Sequence, residues 1–259
     1  MFAETVKNLE VEQGTAALIW LGQAGFMIKT AGGKIVAIDP YLTDYVYEAF
    51  KDEEGLGYKR VTAPLFEPGE IDIDILLCSH EHGDHLDIYA MPELLGNPGM
   101  ACYTNAQSIA ELEKNSIDTS RVTAIAIGDS VDMGEFTLRV VDCDHGSSTP
   151  GAMGFILDFG FRKIYYSGDT SLNLQRLEEA VAQQPDVGLL PINGAFGNLD
   201  SVEAAKLAKE LKLKVCVPHH FWTFPRHFGD PMKAIETFPK YAPDCELAMM
   251  TPGTIYVVK

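Results

Sequence analysis

The chain has 259 residues and a mass of 28.4 kDa, with 46% hydrophobic and 22% charged residues, the proportions of a globular protein with room for a sizeable core. Its 37 acidic residues against 20 basic ones leave a net charge of −17, which argues against unspecific binding to nucleic acid or an anionic membrane, since both need a basic surface. No apolar run approaches membrane-spanning length, the N-terminus lacks a signal-peptide core, and the five cysteines (Cys78, Cys102, Cys143, Cys216, Cys245) form no C-x-x-C, so a soluble cytoplasmic protein with reduced, buried thiols is expected.

Residues 16–20 and 25–28 are short apolar runs that read as strands, Ala31-Gly32-Gly33 is a turn, and 34–39 is a further strand ending at Pro40. Residues 43–70 are polar, irregular and punctuated by Gly and Pro. That is long for a loop, so the segment is either a functional flap, lined by Tyr45, Tyr47 and Phe50, or carries a short helix. Residues 71–78 read as a strand running into a buried apolar stretch, and 105–115 as a capped helix. Residues 121–143 give three strands, turning near Gly128-Asp129 and Met133-Gly134, and 154–167 a hairpin with Gly160-Phe161 at its turn. Helices are expected over 172–182 and 202–211, followed by short strands at 187–190 and 215–217. A last helix covers 230–241 and a closing strand 255–258. Strands cluster early and then alternate with helices, without repeat or linker. That pattern suits one α/β domain over residues 1–259, with two sheets packed together and helices outside.

Where the 71–78 strand ends, the run Ser79-His80-Glu81-His82-Gly83-Asp84-His85 places four potential metal ligands in the pattern H-x-H-x-D-H. A strand alternates faces at every residue and cannot aim all four at one ion, whereas a loop at a strand end can wrap around two adjacent ions. Without a metal, these imidazoles and the carboxylate would repel when protonated or leave polar groups unpaired when buried. Three further apolar strands each deliver a His or Asp at the carboxyl end, in Asp142-Cys143-Asp144-His145, Ser167-Gly168-Asp169-Thr170 and Pro218-His219-His220. Four such ends converging would hold two metals on rigid elements.

In this order the motifs resemble the metallo-β-lactamase superfamily. The resemblance implies an αββα four-layer sandwich with a dinuclear site at one edge. It implies His80, His82 and His145 for the first metal, Asp84, His85 and His220 for the second, and Asp169 as the bridge. Family members often show a Pro, one residue, then the liganding His, which selects His220 and leaves His219 to support it. Leu21-Gly22-Gln23-Ala24-Gly25-Phe26, Asp39-Pro40, Val61-Thr62-Ala63-Pro64 and the approach to His220, with Asp230-Pro231 beyond it, are similar to the L-ascorbate-6-phosphate lactonase group. This chain is shorter than that lactonase, which lacks an obvious counterpart of His145. Asp144-His145-Gly146-Ser147-Ser148 looks more like generic metal-dependent hydrolases, so the reaction class transfers better than the substrate.

Two divalent ions are implied, zinc or manganese, with iron also admitted by the carboxylates. Bridged by Asp169, they would lower the pKa of a shared water from ~15.7 towards ~7 for attack on a carbonyl carbon or phosphorus. Asp84 would orient that nucleophile or move a proton besides binding metal. Asp39 either holds a liganding imidazole or merely ends its strand, and the two readings weigh equally. His82 stands where the redox diiron branch typically has Glu, and no flavin or rubredoxin-like segment follows, which favours hydrolysis. Arg226 is a candidate clamp for phosphate or carboxylate, Trp222 and Phe224 for a pocket wall, and Asn193 for an oxyanion donor. A solvated Arg, core packing and turn formation are the structural alternatives. The expected partner is a small molecule, a polar lactone or ester with or without a phosphate; a homo-oligomer is left open. A phosphodiesterase or nuclease is the rival enzyme, and a metal-binding scaffold without turnover is the rival from another class.

Overall fold

The computed structural model describes residues 2–259 and divides into two compact units, one of Met1–Ile125, Thr223–Arg226 and Thr251–Lys259, the other of Ala126–Trp222 and His227–Met250. The first unit holds β1 (Ala16–Gly22), β2 (Gly25–Thr30), β3 (Ile35–Ile38), β4 (Ile75–Leu77), β5 (Ala101–Thr104), β6 (Val122–Ala124) and β14 (Ile255–Val258), in the sheet order β14-β1-β2-β3-β4-β5-β6. The antiparallel β14, β1, β2 and β3 give way to parallel β4, β5 and β6, reached by crossovers through α2 (Tyr45–Glu54), α3 (Met91–Gly96) and α4 (Ala106–Lys114). Every residue of β1, β2 and β3 is buried, so these strands are covered on both faces. An N-terminal helix, α1 (Phe2–Asn8), is tied to β2 by the buried ammonium of Lys29, which donates to the carbonyls of Val6 (2.7 Å) and Lys7 (2.8 Å). These carbonyls lie in the last turn of the helix, where acceptors lack an i+4 partner, and Val6 O also accepts from Leu9 N (3.3 Å).

The second unit holds β7 (Ser130–Asp132), β8 (Thr137–Asp142), β9 (Met153–Asp158), β10 (Lys163–Tyr166), β11 (Val187–Pro191), β12 (Val215–His219) and β13 (Glu246–Leu247), ordered β13-β12-β11-β10-β9-β8-β7. β7 to β10 form an antiparallel meander, and β10 to β13 are parallel, with α5 (Glu178–Gln183), α6 (Ser201–Glu210) and α7 (Pro231–Tyr241) in the crossovers. α6 opens on a capping box between Asp200 and Glu203. The two mixed sheets and their helices give the expected α/β class.

Most expected elements are present, and the differences have local causes. The strand expected over 71–78 shrinks to Ile75–Leu77, with Asp74 instead clamping β3 through Ile35 N–H to Oδ2 (2.7 Å). The helix expected from 172 starts at Glu178, because Ser171 and Asn173 use their side chains to hold Asp144. Residues 43–70 carry α2, whose start packs in an aromatic cluster of Tyr41, Val46 and Phe224 with Tyr45 and Tyr58. α1, α3, β5 and β13 were not anticipated; each is too short for its periodicity to stand out. All five cysteines are free and four are buried. Among the described residues, no helix is long and apolar enough to cross a membrane.

One carboxylate that the motif reading passes over fixes the loop after β3. Asp87, 2% exposed, accepts hydrogen bonds from Leu42 N (2.8 Å), Thr43 N (2.8 Å) and Thr43 Oγ1 (2.6 Å). Burial pushes its carboxyl up in spite of those donors. Replacing Asp87 by Ala should lower unfolding stability by about 2–4 kcal/mol, because buried N–H groups lose their acceptor. Asp87→Asn should cost less, and the shift of the urea midpoint measures both.

Candidate metal centre

β3 and β4 are parallel neighbours with Ile38 opposite Leu77, so Asp39 and Ser79 leave the sheet side by side at its carboxyl edge. Asp39 takes a left-handed backbone (φ 45°) and is fully buried. Its Oδ1 accepts from Ser79 N (2.7 Å), and its Oδ2 accepts from Ser79 Oγ (2.5 Å) and lies 2.6 Å from His85 Nδ1. Donation from His85 Nδ1 to this carboxylate puts the ring's lone pair on Nε2. Ser79 has one hydroxyl proton, and Asp39 takes it. His80 Nδ1, 2.9 Å from Ser79 Oγ, must then be the donor in that contact, so His80 Nε2 also presents a lone pair. That Nε2 lies 3.1 Å from His82 Nδ1, a separation at which two ring nitrogens share either a proton or a cation. Atoms of Asp39, His80 and His85 lie within 4.8 Å of one another, near enough for one ion. Asp39 is occupied by three donors, however, and acts by holding His85.

The turn that carries the other ligands is tight. His85 N (2.9 Å) and Leu86 N (2.7 Å) both donate to His82 O, and a Cβ at Gly83 would lie 2.6 Å from Tyr45 Cε1, so α2 leaves no room for a side chain there. Asp84 is held from the β1–β2 turn, where Gln23 Nε2 donates to its Oδ2 at 2.8 Å. Gln23 is 2% exposed, has φ 48°, and is fixed at both backbone groups: its N–H donates to Thr223 Oγ1 (2.9 Å) and its carbonyl accepts from Trp20 Nε1 (3.0 Å).

In the second unit, His145, Asp169 and His220 follow β8, β10 and β12 and are all buried. Asp169 Oδ1 lies 3.4 Å from His220 Nε2, and Asp169 Oδ2 lies 3.7 Å from His145 Nε2. These are long for hydrogen bonds but match ligands around a shared ion. Two atoms each ~2.1 Å from a tetrahedral metal are about 3.4 Å apart. The donor set therefore fits a metal. Behind it, Arg176 grips Asp142 (2.9 and 2.7 Å) and reaches Asp144 (3.1 Å), whose Oδ2 accepts from Ser171 Oγ (2.8 Å) and Asn173 Nδ2 (2.9 Å). Hydrogen bonds from Asn173 and Ser171, with Arg176 adding to them, hold the Asp144 carboxyl below the usual carboxylate range. The brace is complete at neutral pH and is lost only as pH falls through that lowered value. It ties the His145 loop to the Asp169 loop, since Asp144 N also donates to Thr170 Oγ1 (3.0 Å). His219 is fully buried and stacks on Tyr166, with ring centroids 5.4 Å apart.

Residues 17–220 match the model of the β-lactamase superfamily domain, a stretch that runs through both units. A UPF0173 metal-dependent hydrolase of Pyrococcus abyssi is 31% identical over 90% of this chain and 96% of its own length. The chain belongs to this family of metal-dependent hydrolases. Its fold is also that of Igni18, a metallo hydrolase from Ignicoccus hospitalis, with a TM-score of 0.71, 22% identity and coverage of 95% of this chain and 99% of that one. The metallo-β-lactamase fold protein YhfI from Bacillus subtilis is likewise similar, with a TM-score of 0.69, 15% identity and coverage of 94% and 99%.

The candidate substrate contacts of the hydrolase fall in different settings. Asn193 is buried in the loop after β11, while Trp222 is 49% exposed, with its N–H bonded to Phe228 O (2.8 Å). Phe224 is buried against Tyr41, and the Arg226 guanidinium is ion-paired with Glu54 at 3.2 Å. Gln23, Arg176 and Asp87 were not singled out by residue type. Gln23 does carry a sequence signal, as the one large polar side chain in the glycine-flanked turn Leu21-Gly22-Gln23-Ala24-Gly25. Asp39→Asn and Gln23→Met should each weaken binding of one metal equivalent by about 10- to 100-fold, as loss of a carboxylate or amide behind a ligand does. Competition with a chromogenic chelator measures this directly.

Proposed function

We propose that the two ligand sets serve one dinuclear centre that hydrolyses a small polar lactone or ester. His80, His82 and His145 hold one ion, Asp84, His85 and His220 the other, and Asp169 bridges them. The observation that carries this reading is the split of Asp169, one oxygen toward His220 Nε2 at 3.4 Å and the other toward His145 Nε2 at 3.7 Å. Each oxygen thus stands beside a different imidazole, as in a carboxylate that lies between two ions. Family membership supports hydrolysis, and the His-rich donors suit zinc, with manganese admitted by the carboxylates.

Ions bound there supply Lewis acidity toward a substrate oxygen and make a nearby water acidic enough to react at neutral pH. The chain's own groups do the rest. Asp39 and Ser79 keep His85 and His80 in the tautomer that offers Nε2. Asp84, with Oδ2 engaged by Gln23, has Oδ1 to orient a nucleophile or accept its proton. Arg226 is engaged by Glu54, so a phosphate is not part of the proposed substrate. The charge of −17 weighs against the phosphodiesterase or nuclease reading. The buried free thiols suit a reducing compartment such as the cytoplasm.

Protein purified without chelator should carry close to two transition-metal ions by elemental analysis, and His82→Ala should lose at least one. Stripped protein should hydrolyse no lactone or ester in a panel and recover with zinc or manganese. Asp169→Asn should lose hydrolysis by at least about a hundredfold while the stripped variant melts within a few degrees of the parent. Metal-free protein that takes up no ion, or an Asp169→Asn enzyme at the parental rate, would rule out this centre.

A further inference from the structure

Two buried carboxamides flank the Asp169–His220 pair. β11 lies between β10 and β12, and the loop leaving its carboxyl end is stitched to both neighbours. Ile192 N–H donates to His219 O (3.1 Å), and Leu199 N–H donates to Thr170 O (2.8 Å). One end of the loop is thus fixed to the residue before His220 and the other to the residue after Asp169. The 3.4 Å contact between Asp169 Oδ1 and His220 Nε2 closes the ring. Asn193 follows the first stitch and Asn198 precedes the second. They are 8% and 5% exposed, and in each both Oδ1 and Nδ2 are buried without a hydrogen bond.

Asn is common in loops because its side chain caps its own backbone turn, yet neither amide does so here. A buried amide with no bond made is costly, and such groups call for an explanation. Here there are two, in a loop tied to the chain neighbours of two candidate metal ligands. Between them, Gly194, Phe196 and Gly197 have left-handed backbones (φ 62°, 53° and 84°), and the exposed ring of Phe196 lies against His227 at a 50° tilt with centroids 4.3 Å apart. No lysine or arginine occurs in residues 191–200 or 218–222.

We propose that Asn193 and Asn198 form a substrate subsite for uncharged hydroxyl groups, as on a polyol or sugar-like ring, with the Phe196–His227 pair against its C–H face. This rests on the hydrolase reading above. A hydroxyl donates and accepts at once, so it satisfies both the carbonyl and the NH₂ of a carboxamide. An anion would find no lysine or arginine side chain from residues 191–200 or 218–222 to pair with, and an ammonium group would leave both NH₂ groups unused. The amides are covered in the closed loop, and the substrate reaches them as the 194–197 tip swings on its glycines.

The test compares D-ribono-1,4-lactone with γ-butyrolactone, the same ring without its hydroxyls, by NMR titration of metal-stripped protein. The parent should bind the hydroxylated lactone at least about tenfold more tightly, and Asn193→Ala and Asn198→Ala should each remove most of that preference. Neither substitution should lower the melting temperature of the ligand-free protein, since no bond is lost. Equal binding of the two lactones, binding of neither, a preference that survives both substitutions, or an alanine variant that melts much earlier or fails to fold would each overturn the subsite. A protein that shows the preference yet hydrolyses nothing when metal-loaded keeps the subsite and loses the hydrolase reading. One that hydrolyses both lactones equally well, with no preference in binding, does the reverse.

Discussion

A fully buried carboxylate at the end of β3 is the constraint on which the first ligand set depends. Burying a carboxylate is tolerable only when its oxygens are fully engaged, and Asp39 achieves this with the Ser79 N–H, the Ser79 hydroxyl and His85 Nδ1. The consequence propagates along one chain of protons. Because Ser79 gives its hydroxyl proton to Asp39, His80 must donate to Ser79, and two imidazoles are fixed in the tautomer a cation requires. The parallel register of β3 and β4 brings the acid and the serine together, so the chemistry of the site is set by strand pairing. The second unit uses the opposite device behind its candidate ligands. Its carboxylates Asp142 and Asp144 are only partly buried and are braced from outside by Arg176.

Three of the nine positive-φ residues other than glycine among the described residues fall at the same places. Gln23, Asp39 and His220 all have positive φ, and each contacts or is a candidate ligand. Side chains other than glycine adopt that region at a cost on the order of 1 kcal/mol or more, which the surrounding bonds must offset. Metal binding adds to the energy holding these residues in place. The site is accordingly expected to be less rigid than the sheets when stripped.

Much of the fold was legible in the sequence because its strands are apolar runs ended by Gly, Pro or Asp, and the ligand motifs fall at those ends. His80, Asp169 and His220 stand out as candidates because their residue types are rare in such positions. Gln23, Asp87 and Arg176 could not, because their partners are remote. Gln23 reaches Asp84 across 61 positions, and Arg176 reaches Asp142 across 34. Residue type gives no warning of such pairings. Periodicity also misled where polar side chains had other work. The 172–182 stretch scans as helix, but Ser171 and Asn173 are committed to Asp144. Arg226 reads as a free cation, and only the fold reveals Glu54 beside it.

The pairing of β14 with β1 bears on how the protein is made. Ala16 stands opposite Val258, so the first unit cannot finish its sheet until residues 255–258, far along the chain from β1, have left the ribosome. Through that interval β1 presents an open, wholly apolar edge, the kind of surface that recruits stray strands. The second unit needs no residue beyond Met250 and can condense earlier. Nascent chains would thus pass through a half-built stage with that edge uncovered, and removal of residues 255–258 would leave it so.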